Sequence, residues 1–351
     1  MPAFHDLKVA AVDQITADAM AITLEVPEGL EEEYAFKAGQ HLTFRTHFDG
    51  VEERRSYSIC TTPESGILRV GVKLLPGGAF SSYVHDELKP GDILNTMTPA
   101  GRFGQRKRGS NGATYVAIVA GSGITPLMSI MPTILKAEPD SQFVLIFGNR
   151  TTGSVKFAEE IADLKDRYPS RFQTFHVLSR EEHEAPLLSG RIDAAKLETL
   201  LEMNPPDLVD DWFLCGPAAL VEQCRAELTA RGVGKRQIHT ELFHTGDEAP
   251  VQRTPESAAQ ASQVTVRLDG RTTTFPMPPT GSILDAVLAQ RPDAPFACKG
   301  GVCGTCRVTI TEGEVDMTRN FALDPQDLDA GFRLACQSVP TTGHVVIDFD
   351  T

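Results

Sequence analysis

The sequence predicts a multi-domain protein in which an antiparallel β-barrel is followed by an α/β domain with a parallel sheet and by a small α+β domain. Three observations support this organisation. Residues 1–108 contain short strands separated by turns, as in a small barrel. Residues 109–244 alternate between apolar strands and helices, as in a parallel sheet. Residues 264–351 combine strands, one capped helix and four cysteines, and residues 245–263, with two prolines and no periodicity, form the predicted linker.

Length, charge and cysteine content narrow the class of protein. A chain of 351 residues is too long for one typical core. Its net charge of −14 disfavours nucleic acid or an anionic membrane as a partner, and no apolar run approaches the roughly 20 residues of a membrane span. The start of the chain lacks a signal-peptide pattern, and the three cysteines outside the C-terminal four cannot all pair. We therefore expect a soluble protein of the reducing cytoplasm.

One stretch of the predicted barrel, Arg55-Ser56-Tyr57-Ser58, has side chains that could bind a cofactor. On a strand, Arg55 and Tyr57 share one face, and Ser56 and Ser58 share the other. A guanidinium can bind a pyrophosphate through two hydrogen bonds, and a phenol ring can stack on a flat cofactor ring. Taken alone, these four residues are explained better as an ordinary half-exposed strand.

A second stretch, Gly77-Gly78-Ala79-Phe80-Ser81-Ser82, precedes a predicted helix. Glycines followed by hydroxyl side chains at a helix start can bind a phosphate through exposed N–H groups. A plain turn with a serine at the helix N-cap explains the pattern equally well. The candidate residues here are Gly78, Phe80, Ser81 and Ser82.

The α/β domain begins with an apolar run, Thr114–Ala120, that predicts a buried parallel strand. It leads directly into the turn 121–126 (Gly-Ser-Gly-Ile-Thr-Pro) and an apolar helix, which is the strand, glycine turn and helix of phosphate recognition. The third glycine of the usual dinucleotide fingerprint is missing and Pro126 takes its place, so the fingerprint is not standard. The candidates in this turn are Gly121, Gly123, Thr125 and Pro126.

Other polar segments follow neighbouring strands of the same predicted sheet. Asn149-Arg150, Ser179-Arg180 and Cys215-Gly216-Pro217 all fall at strand carboxyl ends, where open α/β sheets bind ligands. Ser179 and Arg180 could hold the 2′-phosphate of NADPH through a hydroxyl and a planar cation. The alternative is a solvated turn in a charged loop, so NADPH is favoured over NADH and NADH stays possible.

The third domain carries Cys298, Cys303 and Cys306 with C-x4-C-x2-C spacing, and Cys336 follows much later. This is the plant-type pattern for the four thiolate ligands of a [2Fe–2S] cluster. Buried or zinc-binding cysteines are the alternative, although zinc sites favour paired C-x2-C units or histidine partners. Glycines tolerate positive φ and let backbone N–H groups approach sulfur, which suits Gly300, Gly301 and Gly304.

Taken together, these motifs resemble the ferredoxin–NADP reductase superfamily fused to a C-terminal plant-type ferredoxin domain, over essentially the whole chain. The resemblance implies a β-grasp fold for the third domain. It implies that Arg55 binds the FAD pyrophosphate, that Tyr57 packs on the isoalloxazine and that Ser58 approaches flavin N5. It further implies a second flavin-phosphate segment at 78–81. The nicotinamide side would involve Cys215-Gly216-Pro217, and the reductase module would end in an E-x-F motif formed by Glu241, Leu242 and Phe243.

The resemblance also implies an oxidoreductase that passes electrons from NADPH through FAD and a [2Fe–2S] cluster to a separate oxygenase. No catalytic acid or base is expected, because the cofactors perform the redox chemistry. Within the superfamily, the sequence is most similar to reductases of the bacterial ring-1,2-epoxidases of phenylacetate catabolism, at residues 36–43, 146–151, 297–306 and 345–350. The expected partner is then a di-iron oxygenase on another chain. Reductases of Rieske-type steroid or aromatic hydroxylases and of fatty-acid desaturases remain the alternatives.

Overall fold

The computed structural model describes residues 3–104, 112–243, 262–278, 280–323 and 325–351. The chain forms two compact units, and the boundary between them lies at Leu242/Phe243. The predicted linker 245–263 lies outside the described residues except for its last two positions, Ser262 and Gln263. Within the described ranges, every helix is too short or too polar to cross a lipid bilayer.

The first unit begins with a six-stranded antiparallel sheet, as the turn-punctuated sequence predicts. An isolated bridge between Ile59 and Val70 links its two edge strands, which curls the sheet towards closure. A single helix, α1 (Ala79–Asp86), packs against it through Phe80 and Val84. In the order β4-β3-β6-β1-β2-β5, the strands are β1 (Phe4–Thr16), β2 (Ala19–Glu25), β3 (His41–Phe48), β4 (Val51–Ser58), β5 (Leu68–Lys73) and β6 (Ile93–Met97).

The second half of this unit is a five-stranded parallel sheet whose three inner strands are mostly apolar and buried, as expected for strands covered on both faces, whereas the two edge strands carry more polar residues. In the order β11-β10-β7-β8-β9, they are β7 (Thr114–Ala120), β8 (Gln142–Asn149), β9 (Phe172–Leu178), β10 (Asp211–Gly216) and β11 (Ile238–Leu242). The helices of this part are α2 (Thr125–Ala137), α3 (Ala158–Arg167), α4 (Ala194–Met203) and α5 (Ala218–Ala230).

The antiparallel and parallel sheets of the first unit meet at a close contact. A Cβ on Gly71 of β5 would lie 2.8 Å from Thr125 Cγ2, at the start of α2, and 3.2 Å from the ring of Phe157. An ion pair between Arg69 and Glu160 at 3.3 Å flanks this contact. The absence of a side chain at Gly71 therefore lets the barrel approach the first turn of α2, so candidate residues from both halves lie in one body.

The C-terminal unit is a small mixed sheet with one main helix, consistent with a ferredoxin-like α+β fold. Its strands β12 and β13 form the hairpin that Asp269-Gly270 predicts, and both residues have positive φ. Ser282 and Asp285 form the predicted capping box of α6. The elements are β12 (Gln263–Leu268), β13 (Arg271–Pro276), α6 (Ile283–Gln290), β14 (Arg307–Glu312), β15 (Val315–Met317), α7 (Pro325–Asp329), β16 (Phe332–Leu334), β17 (Ser338–Pro340) and β18 (His344–Asp348), with sheet orders β13-β12-β18-β14-β16 and β15-β17.

Candidate functional site

The Arg55–Ser58 motif occupies the end of β4, where strand alternation divides its side chains between two faces. The Arg55 side chain is half exposed; its Nη1 donates to the Arg54 carbonyl at 2.9 Å, and its other nitrogen pairs with the Glu53 carboxylate. On the opposite face, the Ser56 hydroxyl forms a hydrogen bond of 2.9 Å with the Thr43 hydroxyl of β3. The guanidinium is therefore accessible to a bound anion, while Ser56 is engaged in the strand pair.

Tyr57 belongs to a group of three aromatic rings on the Arg55 face. Its ring stacks on Phe80 of α1 with a centroid separation of 5.5 Å and an interplanar angle of 28°, and it lies 6.1 Å from Phe44. Phe44 and Phe80 stack on each other at 5.4 Å. Burial raises the pKa of the Tyr57 phenol, so the ring stays neutral. A fixed, uncharged aromatic surface of this kind suits a flat ring system such as isoalloxazine.

The turn before α1 is held by the hydroxyl of Ser81. This buried oxygen accepts from the Leu75 amide at 3.1 Å and donates to the Gly78 carbonyl at 3.0 Å. The Ser82 amide also donates to the Gly78 carbonyl, at 2.9 Å. Gly78 is the N-cap of α1 and has no side chain to occupy the helix start. Ser81 thus shapes the turn, whereas the first amides of α1 and the half-buried Ser82 are the groups able to bind a phosphate.

Ser58 connects the barrel to the end of the parallel sheet. Its hydroxyl donates to Glu241 Oε2 at 3.2 Å, and Glu241 on β11 is paired in register with Cys215 on β10. Burial raises the pKa of Glu241 to about 8, and the Ser58 hydrogen bond offsets part of that effect. Burial and the nearby Glu241 raise the pKa of the Cys215 thiol well above its usual value. These groups are neutral at pH 7, so Cys215 is no thiolate nucleophile.

The glycine turn that follows β7 lies against the turn that follows β10. A Cβ on Gly123 would be 2.1 Å from the Cys215 carbonyl oxygen and 2.9 Å from the Gly216 amide nitrogen. Only glycine allows this approach, which brings the two predicted nucleotide segments into direct backbone contact. The Thr125 hydroxyl donates to the Ser122 carbonyl at 2.7 Å and closes the turn.

The remaining residues of these turns have clear structural positions. Gly121 has a φ of +57°, which glycine adopts without strain. Pro126 is in the first turn of α2, where its missing N–H has no intrahelical partner to lose. Pro217 is exposed and is the N-cap of α5. Phe243 lies just beyond β11, in the second compact unit, and is 39% exposed.

Ser179 and Arg180 extend β9 alongside the end of β8. Their amides donate to the carbonyls of Asn149 (2.9 Å) and Arg150 (2.8 Å). Ser179 is half-buried and Arg180 is exposed. The buried Nδ2 of Asn149 has no partner among the described residues. An unpaired donor beside an exposed guanidinium, at the carboxyl edge of a parallel sheet, fits a nucleotide with sugar hydroxyls and phosphates.

The four C-terminal cysteines form two pairs. The thiols of Cys298 and Cys303 are hydrogen-bond partners, as are those of Cys306 and Cys336. Two thiolates for each of two irons is what a [2Fe–2S] cluster requires, so the four residues fit that group. In the described part of the chain, no three metal-ligating side chains gather around a position for a single ion.

Backbone N–H groups surround the sulfur of Cys298. The Gly300 amide donates to it at 3.3 Å, and the Cys303 thiol, together with amides of this loop, lowers the pKa of Cys298 to about 6. Gly301 and Gly304 have positive φ as expected, but Gly300 does not, and Lys299 adopts φ +52° instead. The loop therefore places a non-glycine residue in the left-handed region, which the glycine pattern did not predict.

One further residue near the cysteines escaped prediction from the sequence. Gln337 is 1% exposed and donates from Nε2 to the Lys299 carbonyl at 2.8 Å. Its sequence signal is weak: a polar residue between Cys336 and Ser338. The contact partner lies 38 positions earlier in the chain, so the pattern around Gln337 could not reveal it.

Three family models match successive parts of the chain. They describe an oxidoreductase FAD-binding domain over residues 6–104, an oxidoreductase NAD-binding domain over residues 117–226 and a 2Fe-2S iron–sulfur cluster binding domain over residues 266–341. The order of these matches is that of the antiparallel sheet, the parallel sheet and the C-terminal unit.

Relatives match over almost their full lengths. One of the subunits of 1,2-phenylacetyl-CoA epoxidase from Escherichia coli is 45% identical over 100% of this chain and 99% of the relative. The ferredoxin reductase component of 3-ketosteroid-9-alpha-monooxygenase from Rhodococcus rhodochrous is 33% identical over 98% of this chain and 96% of the relative. Phthalate dioxygenase reductase, a solved structure, is 26% identical with a TM-score of 0.61, covering 99% of this chain and 98% of its own.

The chain therefore belongs to the family of oxygenase reductases that join FAD-binding, NAD-binding and [2Fe–2S] domains in one polypeptide. It is an oxidoreductase with a ferredoxin reductase architecture, which confirms the fold class, the family and the three cofactor domains expected from the sequence.

Proposed function

We propose that this reductase transfers electrons from NADPH to the oxygenase of a phenylacetyl-CoA epoxidase system, and that this oxygenase is a di-iron protein on a separate chain. The observation that carries the proposal is the 45% identity to the E. coli epoxidase protein over the whole chain, compared with 33% to the steroid monooxygenase reductase. The three cysteines outside the proposed ligand set, Cys60, Cys215 and Cys224, form no disulfide, which suits the reducing cytoplasm, where we place the protein.

We assign the cofactor domains to residues 1–108 for FAD, 109–244 for the pyridine nucleotide and 264–351 for the cluster. The matched segments, 6–104, 117–226 and 266–341, lie inside these bounds. When bound, the nucleotide supplies a hydride, FAD accepts it and releases electrons one at a time, and the [2Fe–2S] cluster carries single electrons onward.

In the FAD domain, Arg55 would bind the pyrophosphate through its accessible guanidinium, assisted by Gly78, Ser82 and the first amides of α1. Tyr57, supported by Phe80, would orient the isoalloxazine by ring contact. The Tyr57 ring would cover part of one face of the flavin and exclude water from it.

At the nicotinamide side, Ser58, Cys215 and Glu241 would present an uncharged, hydrogen-bonded surface. Glu241 retains its proton at pH 7, because burial raises its pKa to about 8. A neutral carboxyl and a neutral thiol place no negative charge beside the path of the hydride. Their role is then to position the nicotinamide, with no catalytic acid or base needed.

In the nucleotide domain, Gly121, Gly123, Thr125 and Pro126 would bring backbone N–H groups to the pyrophosphate, and Gly216 and Pro217 would border the nicotinamide. Ser179 and Arg180 would bind the 2′-phosphate that distinguishes NADPH from NADH. Phe243 would complete the E-x-F ending. The cluster ligands would be Cys298, Cys303, Cys306 and Cys336, paired as their thiols are in the structure.

The test is reconstitution with purified oxygenase components. We expect the chain to support NADPH-dependent turnover of phenylacetyl-CoA by the other subunits of the E. coli epoxidase. The oxygenase of the Rhodococcus 3-ketosteroid-9-alpha-monooxygenase, assayed with its steroid, serves as the control for a different partner. Turnover per reductase should be at least about tenfold higher with the epoxidase, and equal or reversed rates would refute the partner assignment.

The same preparation tests nucleotide choice with ferricyanide as acceptor. We expect kcat/KM for NADPH to exceed that for NADH, and an Arg180→Ala variant to lose most of this preference. Comparable values for both nucleotides in the unmodified chain would refute the role assigned to Ser179 and Arg180.

A further inference from the structure

Gln337, the residue after the fourth cysteine, joins two separate parts of the predicted cluster site. Its Nε2 donates to the Lys299 carbonyl at 2.8 Å and lies 3.6 Å from Cys336 Sγ, a hydrogen-bond distance for sulfur. Gly301 packs on the same side chain, because a Cβ at that position would be 3.0 Å from Gln337 Cγ. One buried amide therefore touches both the cysteine loop and the distant fourth cysteine.

We propose that Gln337 is a positioning residue that fixes the cysteine loop against Cys336 and raises the reduction potential of the [2Fe–2S] cluster through an N–H···S hydrogen bond. The inference rests on the proposed assignment of the four cysteines as cluster ligands. Nothing in the sequence motifs or in the family matches assigns this residue a role.

The chemistry of its neighbours fixes the orientation of the amide. A carbonyl oxygen and a cysteine sulfur both act as acceptors here, so the end of the amide that faces them must be the NH2 group. The opposite end, Oε1, is buried and has no partner in the described part of the chain. A buried, unpaired acceptor is unfavourable, and a methionine would fill a similar volume without it. The donor end is therefore the useful part of this side chain.

Cluster reduction provides the reason for a donor at this position. The one electron that arrives from the flavin adds negative charge to the irons and their sulfur ligands, and no proton needs to move with it. An N–H group pointing at Cys336 Sγ stabilises that added charge, and hydrogen bonds to sulfur are among the factors that set cluster potentials. Removing the donor favours the oxidised state, so the potential falls.

The first test compares Gln337→Met with the unmodified flavin- and cluster-loaded protein. We expect the equilibrium constant for cluster reduction, measured by EPR-monitored titration against redox dyes, to fall about tenfold, which corresponds to 59 mV for one electron. NADPH-to-ferricyanide reduction by the flavin should be unchanged. Chelator-driven iron release should be faster, because the tie between Lys299 and Cys336 is lost.

The matched control is Ser338→Ala. Ser338 is also buried beside Cys336, but its hydroxyl donates to the Leu334 carbonyl at 2.9 Å instead of to a sulfur. Its reduction equilibrium should stay within about twofold of the unmodified protein. A tenfold fall in this control as well would overturn the inference, since any lost hydrogen bond would then have the same effect.

Two further measurements cover the case in which Gln337→Met takes up no cluster. Gln337→Leu is a smaller apolar side chain that has no N–H or O–H donor in any protonation state, so its potential should fall by a similar amount. In the unmodified protein, 15N-labelled glutamine side-chain amides should give a weak 15N coupling in pulsed EPR of the reduced cluster, and its absence would overturn the inference.

The outcomes separate this inference from the proposed function. Unmodified protein that binds no iron and acid-labile sulfide would refute the cluster assignment and the inference with it. A normal cluster in the unmodified protein, combined with an unchanged potential in both Gln337 variants, would refute the role of Gln337 alone.

Discussion

Gly123 gives the sharpest test of the nucleotide site, because the reason for glycine there is a single contact. Its φ is outside the left-handed region, so the backbone would accept alanine. The added Cβ, however, would stand 2.1 Å from the Cys215 carbonyl oxygen and 2.5 Å from the carbonyl carbon. Such atoms need more than 3 Å, so the turn before α2 must move by about 1 Å away from β10, an inner strand of the sheet.

That displacement sets the size of the expected effect for Gly123→Ala. Overpacking of this kind costs about 1–3 kcal/mol, and a unit of this size loses about 2–4 °C of Tm for each kcal/mol. A shift of about 1 Å between nucleotide and flavin can also lower the rate of hydride transfer about 100-fold. We expect kcat/KM for NADPH, measured with ferricyanide, to fall about 10- to 100-fold while FAD stays bound.

Gly153→Ala is the matched control for this prediction. Gly153 belongs to the same parallel-sheet domain, lacks a positive φ, and a Cβ there would meet no atom within 4 Å. Its Tm and kcat/KM should match those of the unmodified protein. If Gly123→Ala behaved in the same way as Gly153→Ala in both measurements, the contact argument would be wrong.

Two other perturbations separate the cofactor domains. Cys336→Ser should abolish the rhombic EPR signal of the reduced cluster, while NADPH-to-dye reduction by the flavin survives. The control is Cys224→Ala, which changes a buried cysteine of α5 and should leave the signal intact. An intact signal in Cys336→Ser would contradict the ligand assignment. Glu241→Gln tests the raised pKa of this carboxyl. In the folded protein Glu241 keeps its proton up to about pH 8, whereas the unfolded chain releases it near pH 4.5. The free energy of unfolding of the wild type therefore falls as pH rises between these two values and levels off above them. The variant lacks this loss of stability, which amounts to at most about 1.4 kcal/mol per pKa unit. In chemical denaturation, its free energy of unfolding relative to the wild type should therefore rise between pH 5 and 8. Parallel pH profiles would refute the raised pKa, and the control Glu222→Gln, at an exposed position, should show no such rise.

The fold was predictable where the signal is local. Thr114–Ala120 is apolar throughout and became the central strand β7, because a parallel strand is covered on both faces. The capping box at Ser282 and the Asp269-Gly270 turn likewise depend on neighbours within three residues. The length of strand β1, by contrast, depends on distant partners: Phe4–Lys8 pair with β6 and Lys8–Thr16 pair with β2, so the strand runs from Phe4 to Thr16.

The sequence identifies candidate residues for the site, but it does not predict which hydrogen bonds they make. The hydroxyl of Ser81 is used inside its own turn, which a motif cannot distinguish from binding a phosphate. Ser58 and Glu241 are 183 positions apart in the sequence, and the packing of the barrel against the parallel sheet brings them within hydrogen-bond distance. Gln337 reaches Lys299 for the same kind of reason. Sequence spacing reports which groups exist, whereas long-range packing decides which of them are already satisfied.

The charge states of the groups at the candidate sites are consistent with redox chemistry that is performed by the cofactors. At the Ser58–Glu241–Cys215 cluster, burial keeps the carboxyl and the thiol neutral at pH 7, so the proposed nicotinamide surface carries no charge. At the cysteine pairs, hydrogen bonds from the Cys303 thiol and from backbone amides lower the pKa of Cys298 and favour the thiolate that a metal requires. We therefore expect hydride transfer at the proposed nicotinamide surface and electron transfer at the proposed cluster site to proceed without any dedicated acid or base.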